Sequence, residues 1–287
     1  MVADLHLHTS FSDGTYSPEE LVLHARAQGL GALALTDHDT VEGCERAAAA
    51  SRSAGLEFVP GTELTAEHQG EEIHILGYFI DTRHPPFLVQ VARFQEVRQN
   101  RIREMVARIN ELDVPLNPED VFRLANCRAP GRPHVARALV ASGHCGSLDE
   151  AFERFLKKGR PAWVPKFKIS AAEAIHLIHD AGGAAVLAHP GLNRVDHFIP
   201  LMVECGLDGL ECLHTKHSPA VAEHYLGLAR RLKLVITGGS DCHGHSKGRP
   251  LIGTVRLPYA NVELLKARAS RYPARRSVPA GPFSPGR

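Results

Sequence analysis

The chain has 287 residues, 44% of them hydrophobic and 23% charged, with a formal net charge of +1. That balance supports a sizeable core and excludes a disordered or fibrous chain. No run of about 18 apolar residues offers a membrane span. The N-terminus, MVADLHLHTS, lacks a basic stretch followed by an apolar one, so no secretory signal is expected and a cytoplasmic location is the default. Six cysteines, none in a CxxC pair, read as reduced thiols. Histidine is over-used, with 18 against 11 Phe and one Trp, and it is the commonest metal ligand. Residues 1–89 carry 4 Lys and Arg against 14 Asp and Glu, and residues 90–168 carry 15 against 9. The acidic start suits cations and the basic middle suits anions such as phosphates.

In chain order, ADLHLH reads as a strand. SPEELVLHARAQG reads as a helix, with Ser17 as N-cap, Pro18 at the first helical position, Glu20 completing a capping box and Gly29 as the stop. LGALALTDHD is a second strand, Thr40 to Ala54 a second helix, LEFVPGTELT a third strand and EIHILGYFI a fourth. This alternation predicts parallel βα units. After Pro85 and Pro86 the pattern changes. Residues 87–112 form a long helical stretch, with further helices after Asn117, at Arg132–Ser142 and at Ser147–Lys157. The expected organisation is a barrel from 1–86 and 161–270, an all-helical insertion over 87–160 that covers the site, and a loose tail over 271–287. In the second half, Ser170 caps a helix, GGAAVLAHPG is a strand, residues 195–205 are helical, LDGLECLH is a strand, 218–232 is a helix, and LVITGGSDCHG is a strand with a polar end.

Active residues of α/β barrels gather where strands end. Those ends here supply His6, His8, Asp13, Asp37, His38, Asp39, Glu63, His74, His189, Asp241 and His243. His6 and His8 are two apart on a strand, so both imidazoles face one side and can share a cation. Asp241 and His243 repeat that spacing. The set exceeds the needs of one tetrahedral ion and suggests two or three metals bridged by a carboxylate, the arrangement that clamps phosphoryl oxygens.

DLHLHTSFSDG, ALTDHDT, GTELT, AHPG and GSDCHG together resemble the ordered motifs of the PHP family, the polymerase and histidinol phosphatase domains. The resemblance implies a distorted seven-stranded β/α barrel with a trinuclear metal centre. By motif, one metal takes His6, His8, Glu63 and Asp241. Glu63 bridges to a second held by His74 and His189. The third takes Asp13, His38 and His243, which are the expected catalytic residues. Asp37 and Asp39 become supporting or capping groups. The helical insertion, GRPHVARALV and KKGRPAWVPK are most similar to the subgroup of nucleoside 3′,5′-bisphosphate phosphatases and the 5′→3′ exoribonuclease called RNase AM. The implied activity is metal-dependent removal of a 5′-phosphate from nucleoside 3′,5′-bisphosphates, extending to short RNA or DNA 5′ ends, with no membrane and no obligate protein partner. Two or three Mn, Fe or Zn ions are the expected cofactors, since imidazole with carboxylate suits all three.

Arg98 and Arg101 fall inside the apolar stripe of the long helix. Each is either half of a buried ion pair or a guanidinium fork for a second phosphate. Arg132 sits near a helix start that favours phosphate. With His134 and His217, these arginines are the expected substrate contacts. His243 or His217 could protonate the leaving oxygen. His214 also lies at a strand end, and Cys242, between two expected ligands, should face the core. Two other readings stay open: a phosphatase of a non-nucleotide monoester such as histidinol phosphate, and a metal-stabilised binding module without turnover. The full ligand set argues against the module, because a decayed site should have lost some.

Overall fold

The structure is a computed structural model that describes residues 1–166, 169–193 and 195–274; the side chains of Asn193 and Lys247 fall outside the description. Beyond Ala274, the expected loose tail lies outside the described residues. The first half holds strands β1 (Val2–Asp4), β2 (Ala32–Leu35), β3 (Glu57–His68) and β4 (Glu71–Tyr78), with helices α1 (Pro18–Ala27) and α2 (Cys44–Ala54) between the first three. Ser17 and Glu20 form the expected capping box at the start of α1. Helix α2 starts at Cys44, four residues later than the pattern predicts, because Asp39 takes a left-handed φ of 49° and the chain turns before it can wind.

Residues 85–156 contain α3 (Pro85–Asn110), α4 (Pro118–Ala125), α5 (Arg132–Ala141), α6 (Leu148–Ala151) and a π-helical turn over Phe152–Leu156. The second half continues with β5 (Ile169–Ser170), α7 (Ala171–Asp180), β6 (Ala184–Leu187), α8 (Pro190–Asn193), α9 (Ile199–Glu204), β7 (Gly209–His214), α10 (Pro219–Leu232), β8 (Val235–Gly239), β9 (Leu257–Pro258) and α11 (Tyr259–Ala269). The sequence pattern did not reveal β9 or α11. Among the described residues no helix is long and apolar enough to cross a membrane.

The sheet runs β8-β7-β6-β4-β3-β2-β1-β9, with β5 pairing β3 from the side. Seven of these strands are the expected ones, and β9 adds an eighth. It pairs antiparallel with the first residues of β1, while the chain beyond β1 turns to β8. There the Leu5 N–H donates to the Gly238 carbonyl at 3.1 Å, and Leu7 bridges Cys242. These contacts nearly close the barrel. A Cβ on Gly239 would lie 2.3 Å from the His6 backbone nitrogen, so only glycine lets β8 approach the first strand this closely.

One feature departs from parallel βα units. Strands β3 and β4 form an antiparallel hairpin, and β4 also runs antiparallel to β6. Gln69 and Gly70, both with positive φ, make its turn. The apolar side chains bury in separate clusters. One, centred on Leu33, Leu64, Ile75 and Leu210, lies between the barrel and its helices. Another is built from Ile102, Met105, Ile109, Val135, Leu139 and Leu156 of the helical segment and also takes in Ala162 and Val164 just after it.

Candidate metal centre and adjoining basic pocket

The backbone ladder brings the expected ligands to one end of the barrel. The Thr36 N–H donates to Leu7 O, and His38 bridges Glu63, which sets the ends of the first three strands side by side. Glu63 and His74 are not at strand ends as expected. They lie mid-strand in the hairpin, Glu63 opposite Leu76 and His74 opposite Thr65. They are therefore diagonal neighbours on one face, and Glu63 Oε1 lies 2.7 Å from His74 Nδ1. Three site residues have positive φ: Asp39 (49°), His189 (27°) and Asp241 (52°). Non-glycine residues hold such angles at a cost that the surrounding structure must offset, and they concentrate at functional sites.

Glu63 is the hub. It is 1% exposed, and its Oε2 lies 3.3 Å from Nε2 of both His6 and His8 and 3.1 Å from His38 Nδ1. Its Oε1 faces His74 and, at 3.1 Å, His189 Nε2. Asp241 Oδ1 lies 3.3 Å from His8 Nε2 and 3.7 Å from His6 Nε2. Asp13 Oδ1 lies 3.2 Å from His243 Nε2. Three groups have ligand atoms close enough to share an ion: His8 with Asp13, His38 and His243; His6 with His8 and Asp241; and His38 with Glu63 and His74. Eight of the nine expected ligands fall in these groups, with His8 and His38 each in two, and the ninth, His189, joins them through Glu63 Oε1.

Several of these atoms crowd without hydrogen-bonding. His6 Nε2, both nitrogens of His8, His38 Nδ1 and Asp13 Oδ1 are buried and have no hydrogen-bond partner. Lone pairs facing one another in an enclosed space, on imidazole and carboxylate donors, fit divalent metal ions. The carboxylates answer to the rings. Burial opposes charge on Glu63, but His38, His74 and His6 outweigh it and hold it well below the usual range. Burial likewise disfavours a charged His8 ring, yet the Asp241 and Glu63 carboxylates push it up to about 9.

Supporting groups surround this cluster. Asp37 accepts from the Thr9 N–H at 2.7 Å and from the Thr9 and Ser12 hydroxyls at 2.5 Å each, pinning the loop after the first strand. Glu211, which the sequence reading passed over, is fully buried. It accepts from His6 Nδ1 at 2.9 Å and from the His189 N–H at 2.8 Å. The available signal was an acid inside the apolar run LDGLECLH. Cys242 is fully buried in the core.

The expected substrate contacts fall into two groups. Arg98 pairs with Asp39 at 2.6 Å and reaches Thr65 Oγ1 at 3.4 Å. Arg101 is 7% exposed and donates to the Val164 carbonyl at 2.9 Å. Burial, followed by repulsion from Arg132 and Arg98, pushes it down to about 9. Both arginines line a pocket with Asp39, Thr65, Phe94 and Lys166, and Lys166, not foreseen, is tied to Glu72 at 2.8 Å. Asp39 directly follows His38, so the pocket wall starts one residue from the ligand cluster. Arg132 donates to the Leu156 carbonyl at 3.4 Å.

The two histidines among these contacts have backbone duties. His134 Nδ1 accepts from the Gly131 N–H at 3.0 Å, capping α5. His217 Nδ1 donates to Cys212 O at 2.9 Å, and its Nε2 accepts from the Gly191 N–H at 3.2 Å. That ring has no proton to offer a leaving group. His243 holds its proton on Nδ1 toward Asp241 O at 2.9 Å, turning Nε2 to Asp13.

A β/α barrel whose mouth clusters histidines and carboxylates defines a hydrolase built to use divalent ions. The PHP domain family matches residues 4–158. The chain is 36% identical to the 5'-3' exoribonuclease Rnm of Salmonella typhimurium over 254 residues, 85% of each chain. It is 32% identical to a 3',5'-nucleoside bisphosphate phosphatase of Chromobacterium violaceum, over 89% of this chain and 92% of that one. A solved structure from Bifidobacterium adolescentis, described as a metal-dependent phosphoesterase, superposes with a TM-score of 0.86 at 35% identity, covering 93% of this chain and 96% of that one. The chain belongs to the PHP family. It is a phosphoesterase, a hydrolase of phosphate ester bonds.

Proposed function

We propose that the protein removes the 5′-phosphate from nucleoside 3′,5′-bisphosphates and from short oligonucleotides with a 5′-phosphate. The observation that carries this reading is the basic pocket beginning one residue from the ligand cluster. Arg101 in it forms no ion pair among the described residues, and the Arg132 and Arg98 guanidiniums act on it more strongly than the Glu72 and Glu104 carboxylates. A buried cation short of counter-charge fits an anion, and a substrate with two phosphates fits a cluster and a pocket side by side. The activities for which the Salmonella and Chromobacterium relatives are named agree with both substrate classes.

In this reading His6, His8, Glu63 and Asp241 hold one ion, Glu63 with His74 and His189 a second, and Asp13, His38 and His243 a third. Two to three Mn, Fe or Zn ions are taken up. Bound there, such ions supply Lewis-acid charge for phosphoryl oxygens and make water acidic enough to attack near neutral pH. The chain's own residues do the rest. Glu211 fixes the His6 proton on Nδ1, so Nε2 offers its lone pair. Asp241 O does the same for His243. Arg98, held by Asp39, and Arg101 receive the 3′-phosphate, with Arg132, His134 and His217 around the nucleotide. Residues 1–86 and 161–270 form the catalytic barrel, and 87–160 an insertion that covers the site, its apolar cluster shared with Ala162 and Val164. Six thiols without a disulfide fit a reducing, cytoplasmic setting.

Substrate profiling of the metal-loaded protein tests the proposal. It compares AMP, 3′-AMP, adenosine 3′,5′-bisphosphate, histidinol phosphate and 5′-phosphorylated oligonucleotides. The bisphosphate should be preferred to AMP and should yield 3′-AMP. Release of 5′-AMP, or preference for histidinol phosphate, overturns it.

A further inference from the structure

His214 is the last residue of β7, and its side chain is fully buried against the ligand cluster. Its ring centroid lies 5.5 Å from that of His189 and 6.3 Å from that of His6. Yet it differs from His6 and His243 in one respect. His6 and His243 direct Nδ1 at acceptors, the Glu211 carboxylate and the Asp241 carbonyl. Their protons sit on Nδ1, and Nε2 carries the lone pair a metal needs. In His214, Nδ1 accepts the Lys216 N–H at 3.1 Å. The proton must then sit on Nε2, which leaves no lone pair there for a cation.

That Nε2 is buried without a hydrogen-bond partner. The nearest carboxylate oxygen, Asp241 Oδ2, is 3.7 Å away, too far for a hydrogen bond. A buried donor without an acceptor is rare in a folded protein, and one beside a functional cluster calls for a partner that arrives. The arriving group must accept hydrogen bonds, and it must sit among cations once metals are held. A phosphoryl oxygen meets both conditions.

We propose that His214 is a substrate-binding residue whose Nε2–H donates to a non-bridging oxygen of the phosphoryl group held at the cluster. The neutral ring gives only a hydrogen bond, and no proton is transferred. The assignment rests on the phosphoesterase reading above, deepens it, and separates His214 from the nine expected ligands. It also separates it from His217, whose two nitrogens are taken by backbone.

The test uses the full-length, metal-reloaded protein with inorganic phosphate as probe, followed by calorimetry. His214→Ala should keep the metal content of the parent by elemental analysis and weaken phosphate binding about 10- to 100-fold, the range for a hydrogen bond to a charged group. His214→Gln, which retains an N–H donor, should recover part of that loss and guards against a folding defect in the alanine variant. Metal loss in both variants would make the ring a ligand and overturn the proposal. So would phosphate affinity within twofold of the parent in metal-replete His214→Ala. A parent that binds phosphate but cleaves no 5′-phosphate would sink the functional reading, while the titration still decides His214.

Discussion

Inside the barrel the Glu211 carboxylate meets the His6 ring, Oε1 to Nδ1 at 2.9 Å, and both side chains are fully buried. The other oxygen of Glu211 holds the His189 backbone N–H at 2.8 Å. One carboxylate thereby orients a ring from β1's end of the barrel and the turn after β6, which meet only across the folded sheet.

Replacing Glu211 with alanine should leave the His6 Nδ1–H without an acceptor and free the ring to turn. Loss of such a supporting partner typically weakens metal binding 10- to 100-fold, and a buried unpaired donor costs about 1–3 kcal/mol of stability. Metal titration and thermal melting should both shift. A lowered melting temperature with undiminished metal affinity would mean that Glu211 is only structural.

Glu63→Gln should empty two sites at once. Its two oxygens reach five rings, with His6, His8 and His38 on one side and His74 and His189 on the other. An amide offers one neutral oxygen where two charged ones stood. Elemental analysis of wild-type protein should show two to three ions per chain, and the variant two fewer. Loss of a single ion would show that the carboxylate does not bridge.

The basic pocket makes a prediction about selectivity. Arg101→Ala and Arg132→Ala should each lower kcat/KM on the bisphosphate by roughly 10- to 150-fold, matching about 1.5–3 kcal/mol for a charge-assisted hydrogen bond. AMP hydrolysis should fall far less, and metal content should hold. For Arg132 the competing outcome is specific: its guanidinium already serves the Leu156 carbonyl. Equal losses on both substrates with a lowered melting temperature would assign it to packing.

The histidine cluster should make the metal-free protein sensitive to alkali. Burial opposes protonation of His8, but the nearby Asp241 and Glu63 carboxylates overcome it and push the ring from its ordinary 6.5 up to about 9. His6 is raised as well, mainly by Glu211 and Glu63 against the same burial. A folded-state pKa above the unfolded one contributes stability that is full below pH 6.5 and lost as pH rises through 9. Melting temperatures of chelator-stripped protein should fall across that window. Metal affinity should rise over the same window, because the ion must displace these protons. A metal-free protein that melts identically from pH 6.5 to 9 would show that the rings are already neutral.

Much of the candidate site was legible in the chain alone, because its signals are local. A strand alternates its faces every two residues whatever it packs against. His6 with His8 could therefore be read as paired donors before any fold was known, whereas Asp241 and His243 lie beyond the end of β8 and fall in different ligand groups. The capping boxes at Ser17 and Ser170 are likewise local, set by a side chain and a backbone N–H three residues apart. Polar residues closing apolar strands marked the rest of the ligand set.

What only the tertiary structure decided involves residues far apart in the chain, whose meeting depends on register and closure. The β3–β4 hairpin, rather than another βα unit, moved Glu63 and His74 from strand ends to mid-strand. Closure of β8 on the first strand at Gly239 brought Asp241 to His6. Lys166 joined Arg98 and Arg101 because the chain returns from the helical segment beside α3. The ion pair of Arg98 with Asp39 and the exposed lone pairs of the ligand rings were equally hidden. So was the tautomer of His214, since a ring's proton is placed by whichever group the fold sets opposite its other nitrogen. Periodicity fixes the direction in which a side chain leaves its strand, and only the closed sheet determines what it finds there.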